Sequence, residues 1–167
     1  MIQVCEEPKT AGWLELRSAL WPNCSVDEHL TEMADIARNE QSLVAFLALD
    51  ELGRARGLAE ASVRHDYVNG TTTSPVAFLE GIYVIPSARG QGVARQLIAA
   101  VEQWAADKGC EELASDAALD NHNSHLMHTA LGFTETERVV YFLKSLPVWL
   151  TFLVRSGPSL TRPLPQI

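Results

Sequence analysis

A glycine-rich loop between an apolar strand and an amphipathic helix constrains this chain more than any other feature. The apolar segment LEGIYVIP is followed by Arg89-Gly90-Gln91-Gly92-Val93-Ala94, and apolar residues then recur with a helical period over residues 91–107. Glycines let the backbone curl so that successive N–H groups point inward, and the helix N-terminus adds the positive end of its dipole. The loop therefore predicts a site for a phosphate-bearing ligand.

Other loops of similar composition have different requirements. A dinucleotide-binding Rossmann loop needs a third small residue where Arg95 stands. A Walker loop is excluded because no Gly-Lys-Ser/Thr follows. The remaining alternative is a glycine turn that leads into a helix and binds nothing.

Size and charge limit the number of domains and the kinds of partner that we expect for this chain. The chain has 167 residues, 47% of them hydrophobic, which suits one globular domain. Its net charge of −8 argues against a nucleic-acid partner and favours cationic ligands. No apolar run is long enough to span a membrane, and the N-terminus lacks a secretory signal. Three widely separated cysteines form no disulfide framework, so we expect a reducing cytoplasm.

The pattern of apolar residues predicts a mixed α/β fold. We expect a short strand, two helices, three strands, the helix after the glycine loop, a strand, a short helix and a closing pair of strands over residues 133–145. Ser25 and Glu28 form a predicted capping box before the second helix. The domain is predicted to span residues 1–146. Residues 147–167 contain four prolines and no acid, and we predict a tail without an assigned function.

Two motifs resemble the GNAT acetyltransferase superfamily. Arg89-x-x-Gly92-x-Ala94 matches its pyrophosphate-binding motif, and Asn121, Ser124, His128 and Leu131-Gly132-Phe133 follow in the order and spacing of its second motif. The resemblance implies acetyl-CoA as co-substrate. It also implies a mostly antiparallel sheet of about seven strands flanked by helices, in which two central strands splay apart.

Several longer blocks resemble a narrower group within that superfamily. LWP at 20–22, RHDYVNG at 64–70, SPVAFLEGIYV at 74–84, ASDAALDN at 114–121 and LGFTETERVVYF at 131–142 are similar to aminoglycoside 6'-N-acetyltransferases of the chromosomal enterobacterial and Acinetobacter type. This implies acetylation of the 6'-amine of a cationic antibiotic, which confers resistance, by a homodimer. The alternatives are a GNAT enzyme for another amine, such as a polyamine or a protein N-terminus, and a non-catalytic acyl-CoA-binding module.

The resemblance also assigns the cofactor contacts. A glycine inside the strand at Gly81 is consistent with a bulge that frees backbone groups, and the Ile82 N–H is then expected to stabilise the oxyanion of the reaction. Asn121 is expected at the cofactor, with an N-cap role as the alternative. The expected cofactor-binding residues are Ile82, Tyr83, Val84, Gly90, Gln91, Gly92, Val93, Ala94, Arg95 and Asn121.

Two acidic residues inside apolar strands are candidates for the site that binds the amine, which is the acceptor of the acetyl group. Glu80 and Asp116 are costly to bury unpaired, so each is expected to face a cavity or a cationic partner, unless it lies at an edge in water. Either carboxylate could remove the proton of the attacking amine. The resemblance places five residues in the aminoglycoside site, namely Trp21, Tyr67, Glu80, Asp116 and Glu137.

His128 stands where many GNAT enzymes have tyrosine. The imidazole could protonate the departing thiolate, and helix packing is the alternative. His122, His125 and His128 invite a metal hypothesis, but their directions rotate around the helix and no second cluster completes a set, so we expect no metal. None of the cysteines has an activated setting, so we expect direct acetyl transfer in a ternary complex, with catalysis by Asp116, Glu80 and His128.

Overall fold

The computed structural model describes residues 1–145. In chain order, the elements are β1 (Ile2–Val4), α1 (Trp13–Leu20), α2 (Val26–Arg38), β2 (Leu43–Leu49), β3 (Ala55–Arg64), β4 (Val76–Val84), a 3₁₀ turn (Pro86–Ala88), α3 (Val93–Asp107), β5 (Leu113–Ser115) and α4 (His122–Ala130). All of them lie in one compact unit, Met1–Glu137, and the following residues belong to a second unit.

The sheet follows the order of the sequence. Its strands are arranged β1-β2-β3-β4-β5. The pairs β1–β2, β2–β3 and β3–β4 are antiparallel. β5 is parallel to β4, and α3 makes the crossover between them. The mixed sheet flanked by helices agrees with the predicted fold class.

Apolar side chains fill both faces of this sheet. Leu97, Ile98 and Val101 of α3 pack against one face. Trp13 and Met33, from α1 and α2, pack against the other face. Because strand side chains alternate between faces, β3 sends Leu58 to the α1–α2 side and Ala59 to the α3 side.

Helix ends follow the local signals in the sequence. The Ser25 hydroxyl accepts from the Glu28 N–H at 3.3 Å, and the Glu28 carboxylate accepts from the Ser25 N–H at 2.7 Å, which confirms the predicted capping box. The Ser25 hydrogen bonds also lower the pKa of Glu28. α1 ends at Leu20, just before Pro22, because proline disfavours helical geometry in the residue that precedes it.

The predicted strand pair over residues 133–145 is wrong. The described residues form five strands rather than about seven, and residues 133–145 have no regular secondary structure. Residues 139–143 are all good strand formers, yet Phe142 and Leu143 are 94% and 95% exposed. Strand propensity is realised only when a segment pairs with a partner strand, and residues 139–143 take part in no strand pair among the described residues. The predicted tail, residues 147–167, lies outside the described residues.

Among residues 1–145, no helix combines the length and the hydropathy that a bilayer span requires.

Candidate active site

A β-bulge in β4 opens the sheet. Gly81 lies opposite Glu60 and Leu79 lies opposite Ala61, so Glu80 has no residue opposite it on β3. On its other edge, β4 pairs with β5 only over Ala77–Leu79. The last pair of the two parallel strands is Leu79 with Ser115, so the strands separate at the bulge, which confirms the predicted splay.

Backbone groups of β4 point into the resulting gap. The Ile85 N–H donates to the Arg56 carbonyl of β3 at 3.0 Å. Because backbone groups alternate along a strand, Ile82 and Val84 direct theirs away from β3. The Val84 carbonyl accepts from Arg89 Nε at 3.1 Å on that side. Tyr83 lies opposite Leu58 and turns its backbone toward β3, so two of the three predicted β4 contacts face the gap.

The glycine loop has the shape that a diphosphate needs. Gly90 and Gly92 have φ values of 72° and 79°, a left-handed conformation that favours glycine. A Cβ added to either residue meets no atom within 4 Å, so open space lies above both. Gly92 is the N-cap of α3 and supplies no side-chain cap. The free N–H groups of the first helical turn are therefore available to an anion, and the loop fits the phosphate-bearing end of acetyl-CoA.

Side chains around the loop hold it in place. Gln91 donates from Nε2 to the Ser87 carbonyl at 2.8 Å and accepts a hydrogen bond from Arg56. Arg95 donates to the Ala130 carbonyl at 3.2 Å, which connects α3 to the end of α4. Asn121 caps α4 by accepting from the Ser124 N–H at 3.1 Å, so its N-cap role is present in the structure.

Glu80 lies at the bulge and has a cationic partner within the chain. Arg64 Nη2 donates to both of its carboxylate oxygens at 2.9 and 3.0 Å, and Ser62 donates as well. The Arg64 guanidinium lies 3.4 Å from the centre of the Phe78 ring. Both charged side chains remain more than one-third exposed. An incoming ammonium group therefore meets a carboxylate that is already paired but accessible.

Asp116 is placed beside Glu80 by the register of the sheet. Leu79 and Ser115 form the last pair of β4 and β5. Glu80 is the next residue of β4 and Asp116 directly follows the end of β5, so both acids come just after the last paired residues. Asp116 is exposed, which gives a cationic ligand access to it.

Trp21 covers the bulge from the α1 side. A Cβ on Gly81 would lie 2.6 Å from Trp21 Cζ2, so the close approach of the indole requires glycine at this position. The Arg17 guanidinium lies 4.9 Å from the Trp21 ring. Trp21 and Glu80, both predicted in the acceptor site, therefore adjoin the same bulge.

The loop that carries Tyr67 contacts Glu137 through Asn69. The loop that carries Tyr67 is anchored by Val68, which packs with Val76 and Phe78. Asn69 Nδ2 donates to Glu137 Oε2 at 3.2 Å. The Tyr67 ring is 77% exposed and available to a ligand.

A buried ionic network behind the bulge was not predicted. Arg17 donates from Nε to both oxygens of Glu60 at 2.9 and 3.1 Å, and Trp13 Nε1 donates to the same carboxylate at 2.7 Å. Arg17 also contacts His29 and pairs with Glu32 at 2.6 Å. Burial raises the pKa of Glu60, and the Arg17 charge opposes that shift. The signal was an acid inside the apolar strand GLAEASV, the same signal that singled out Glu80.

His128 connects α4 to the end of β5. Its Nδ1 lies 2.8 Å from the Ser124 carbonyl oxygen, and its Nε2 lies 2.9 Å from the Ser115 hydroxyl. The Phe133 ring packs edge-on against it. His125 Nε2 instead contacts the Ala118 carbonyl at 3.0 Å. Within residues 1–145, no group of three or more potential ligands is arranged to hold a metal.

The cysteines do not have the environment of a nucleophile. Burial raises the pKa of Cys5 to about 12, with a further contribution from the Glu60 charge. Burial also raises the pKa of Cys110. Cys24 is exposed on the loop between α1 and α2. These settings favour direct transfer over an acetyl-cysteine intermediate.

The fold and the glycine-rich loop together indicate the class of protein. A splayed mixed sheet with a glycine-rich anion site at the end of the splayed strand is an arrangement for an acyl-CoA thioester. The sequence model of the acetyltransferase (GNAT) family matches residues 10–133, which is more than half of the chain. The chain belongs to the GNAT acetyltransferase family.

Individual relatives show which enzymes of this family resemble the chain. The aminoglycoside N(6')-acetyltransferase type 1 of Acinetobacter genomosp. 13 is 54% identical over 145 residues, which cover 87% of this chain and 98% of that protein. Apo AAC(6')-IG, an aminoglycoside antibiotic 6'-N-acetyltransferase from Acinetobacter haemolyticus, has a TM-score of 0.82 at 50% identity and covers 88% and 99% of the two chains. AAC(6')-Iy in complex with the bisubstrate analogue CoA-S-monomethyl-acetylneamine has a TM-score of 0.79 at 45% identity and covers 87% and 99%.

Proposed function

We propose that this protein is an aminoglycoside 6'-N-acetyltransferase that confers resistance by transferring the acetyl group of acetyl-CoA to the 6'-amine. The observation that carries the proposal is the splay at the bulge, where backbone groups and the glycine loop line one side and carboxylates line the other. Relatives of matching length that are named for this activity support it.

The carboxylates at the bulge give the acceptor side its chemistry. An aminoglycoside carries several ammonium groups, and Glu80 and Asp116 offer them charge-assisted hydrogen bonds. Trp21 and Tyr67 offer flat apolar faces to the sugar rings, and we assign Glu137 to the same site. Net charge of −8 favours the approach of a polycation.

Acetyl transfer requires a neutral amine, a stabilised oxyanion and a protonated thiol. We assign proton removal from the amine to Asp116 or Glu80. The Ile82 N–H faces the gap and is the proposed oxyanion donor. The Val84 backbone, the N–H groups of the glycine loop and Arg95 hold the cofactor, which supplies the activated acetyl group. The assignments of Tyr83 and Asn121 to the cofactor are also retained as proposals.

The decisive experiment measures thiol release from acetyl-CoA. Kanamycin-type compounds that possess a 6'-amine are expected to support turnover, and those with a hydroxyl at that position are not. Equal turnover of both would exclude 6'-specific transfer. Turnover of polyamines or peptides in place of the drugs would select a GNAT enzyme for another amine, and cofactor binding without any turnover would select a binding module.

Neutral amides test the acceptor carboxylates. Glu80→Gln and Asp116→Asn are each expected to weaken aminoglycoside binding about ten- to a hundredfold, because a charge-assisted hydrogen bond contributes roughly 1.5–3 kcal/mol. Acetyl-CoA affinity should stay the same in titration calorimetry. If Asp116 is the base, its amide also lowers turnover at saturating drug, and the loss shrinks as pH rises because more of the amine is then neutral.

Glu102→Gln is the matched control for these variants. It removes one charge from the exposed side of α3 and should leave drug affinity unchanged. Normal drug binding and normal turnover in both amides would contradict the aminoglycoside site. Asp116→Asn is the simpler variant, since Glu80→Gln also removes the partner of Arg64.

We further propose that the protein is a cytoplasmic homodimer. The support for association is the exposed apolar segment at residues 139–143, because such segments mark interaction surfaces. Sedimentation at micromolar concentration should give a dimer, and Phe142→Glu should shift it toward monomer. A monomeric wild-type protein in that range would contradict the proposal. The support for the cytoplasm is that the three cysteines are free.

A further inference from the structure

Ser115 occupies the point where β4 and β5 separate. It is the last residue of β5 and lies opposite Leu79, directly before the bulge. Its hydroxyl is 2.9 Å from His128 Nε2 and 3.3 Å from the Leu79 carbonyl oxygen. The residue is half-buried, so part of it remains open to solvent.

Hydrogen bonding determines which ring nitrogen of His128 carries the proton. Nδ1 lies 2.8 Å from the Ser124 carbonyl oxygen, which only accepts, and 3.2 Å from the Ser124 hydroxyl, which can also accept, so we assign the proton of the neutral ring to Nδ1. Nε2 of the neutral ring is then an acceptor, and the Ser115 O–H donates to it. Protonation of His128 places a hydrogen on Nε2 and reverses this hydrogen bond, which leaves the Ser115 hydrogen free to turn toward another acceptor.

The length of β4 indicates how far Ser115 lies from the phosphate loop. Val84 lies five positions after Leu79, and a strand rises about 3.3 Å per residue, so the gap runs roughly 16 Å along β4. A ligand with its diphosphate at Gly90–Gly92 and its chain along Ile82 and Val84 brings its far end toward Ser115.

We propose that Ser115 is the group that protonates the departing thiolate, with His128 as the source of the proton; this rests on the proposed function. When the tetrahedral intermediate collapses, the C–S bond breaks and sulfur keeps the electron pair. Sulfur takes the Ser115 hydroxyl proton, and Ser115 takes the Nε2 proton of the His128 imidazolium. Starting from the protonated drug, the 6'-ammonium loses two protons to solvent through the carboxylate base, and His128 takes one proton back from solvent, so one proton is released for each acetyl group transferred.

The ligand-free protein provides the first test. Nitrogen NMR of the His128 ring should show protonated Nδ1 and a hydrogen-bonded, unprotonated Nε2. Ser115→Ala removes the donor and should shift the Nε2 resonance toward that of a free acceptor, whereas Ser115→Thr keeps a hydroxyl on the same carbon and should leave it near the wild-type position. Thr129→Ala is the control, because it removes a hydroxyl from α4 that bonds only within the helix. A protonated Nε2 in the neutral ring would overturn the proposal.

Turnover provides the second test. Ser115→Ala is expected to lower kcat about a hundredfold, the size of a general-acid contribution, with KM unchanged for both substrates. Ser115→Thr should recover most of the loss. Combining Ser115→Ala with His128→Asn should cost no more than His128→Asn alone, because the two groups act in one relay.

Two results would overturn the relay. One is a kcat of Ser115→Ala within twofold of wild type, and the other is losses that multiply in the double variant. These outcomes differ from failure of the proposed function, in which the wild-type protein itself does not acetylate compounds with a 6'-amine. If Ser115→Ala does not fold, Ser115→Thr retains the test through the His128 ring resonances, and His128→Asn retains it through the loss of kcat at unchanged KM.

Discussion

Gly92→Asp is expected to weaken acetyl-CoA binding about a hundredfold. The substitution places a carboxylate in the open space above the loop, where the diphosphate is proposed to lie, and strains a backbone with φ of 79°. Losing backbone hydrogen bonds to a charged ligand costs roughly 1.5–3 kcal/mol, and charge repulsion adds to that. Titration calorimetry with acetyl-CoA measures the effect directly.

Gly109→Asp is the control for Gly92→Asp. It measures the cost of replacing a glycine that has a left-handed backbone, without placing a charge beside the proposed diphosphate site. Gly109 also has a left-handed backbone, with φ of 76°, and open space around its α-carbon. It lies beyond the other end of α3, about 22 Å away for a helix of 15 residues. The control should lose stability but keep its affinity for acetyl-CoA. A folded Gly92→Asp protein with wild-type affinity would remove the loop from the cofactor site.

Arg17→Met is expected to lower the free energy of unfolding by about 3–5 kcal/mol at neutral pH. Glu60 is 3% exposed, and without Arg17 its charge stays buried and uncompensated. Burial already raises the pKa of Glu60. A carboxyl group whose pKa is higher in the folded state costs most stability above that pKa. The loss should therefore shrink as pH falls toward the ordinary carboxyl range.

Two further variants make the stability test specific. Arg38→Met removes an exposed ion pair with Asp35 and should cost less than about 1 kcal/mol. Adding Glu60→Met to Arg17→Met replaces the buried pair by apolar side chains and should restore much of the stability. Denaturant unfolding at pH 5 and at neutral pH provides the data. Equal losses for Arg17→Met and Arg38→Met would contradict the role of the buried network.

Local chemistry made much of the fold predictable. The capping box at Ser25, the proline after α1 and the glycine before α3 are signals within a few residues, and the structure places helix ends at each. The bulge was predictable because glycine inside a strand is costly without a special backbone geometry. The sequence blocks around these signals also predicted the family and the 6'-N-acetyltransferase activity.

Long-range partners were not predictable in the same way. Residues 139–143 have strand propensity, but whether they pair depends on an edge that local sequence does not reveal. The pairing of Arg64 with Glu80 depends on the register of β3 against β4, which the local sequence does not specify. The Arg17–Glu60 contact joins residues 43 positions apart. The roles assigned to the site residues remain predictions for the variants above to test.

The bulge at Glu80 has a consequence for how resistance can diversify. On one side of it, the proposed contacts to acetyl-CoA come largely from the backbone of β4 and of the glycine loop, which most substitutions leave chemically unchanged. On the other side, the proposed contacts to the drug come from the side chains of Trp21, Tyr67, Glu80 and Asp116, which single nucleotide changes can replace. Mutations can therefore alter the range of antibiotics accepted while the acetyl donor stays the same.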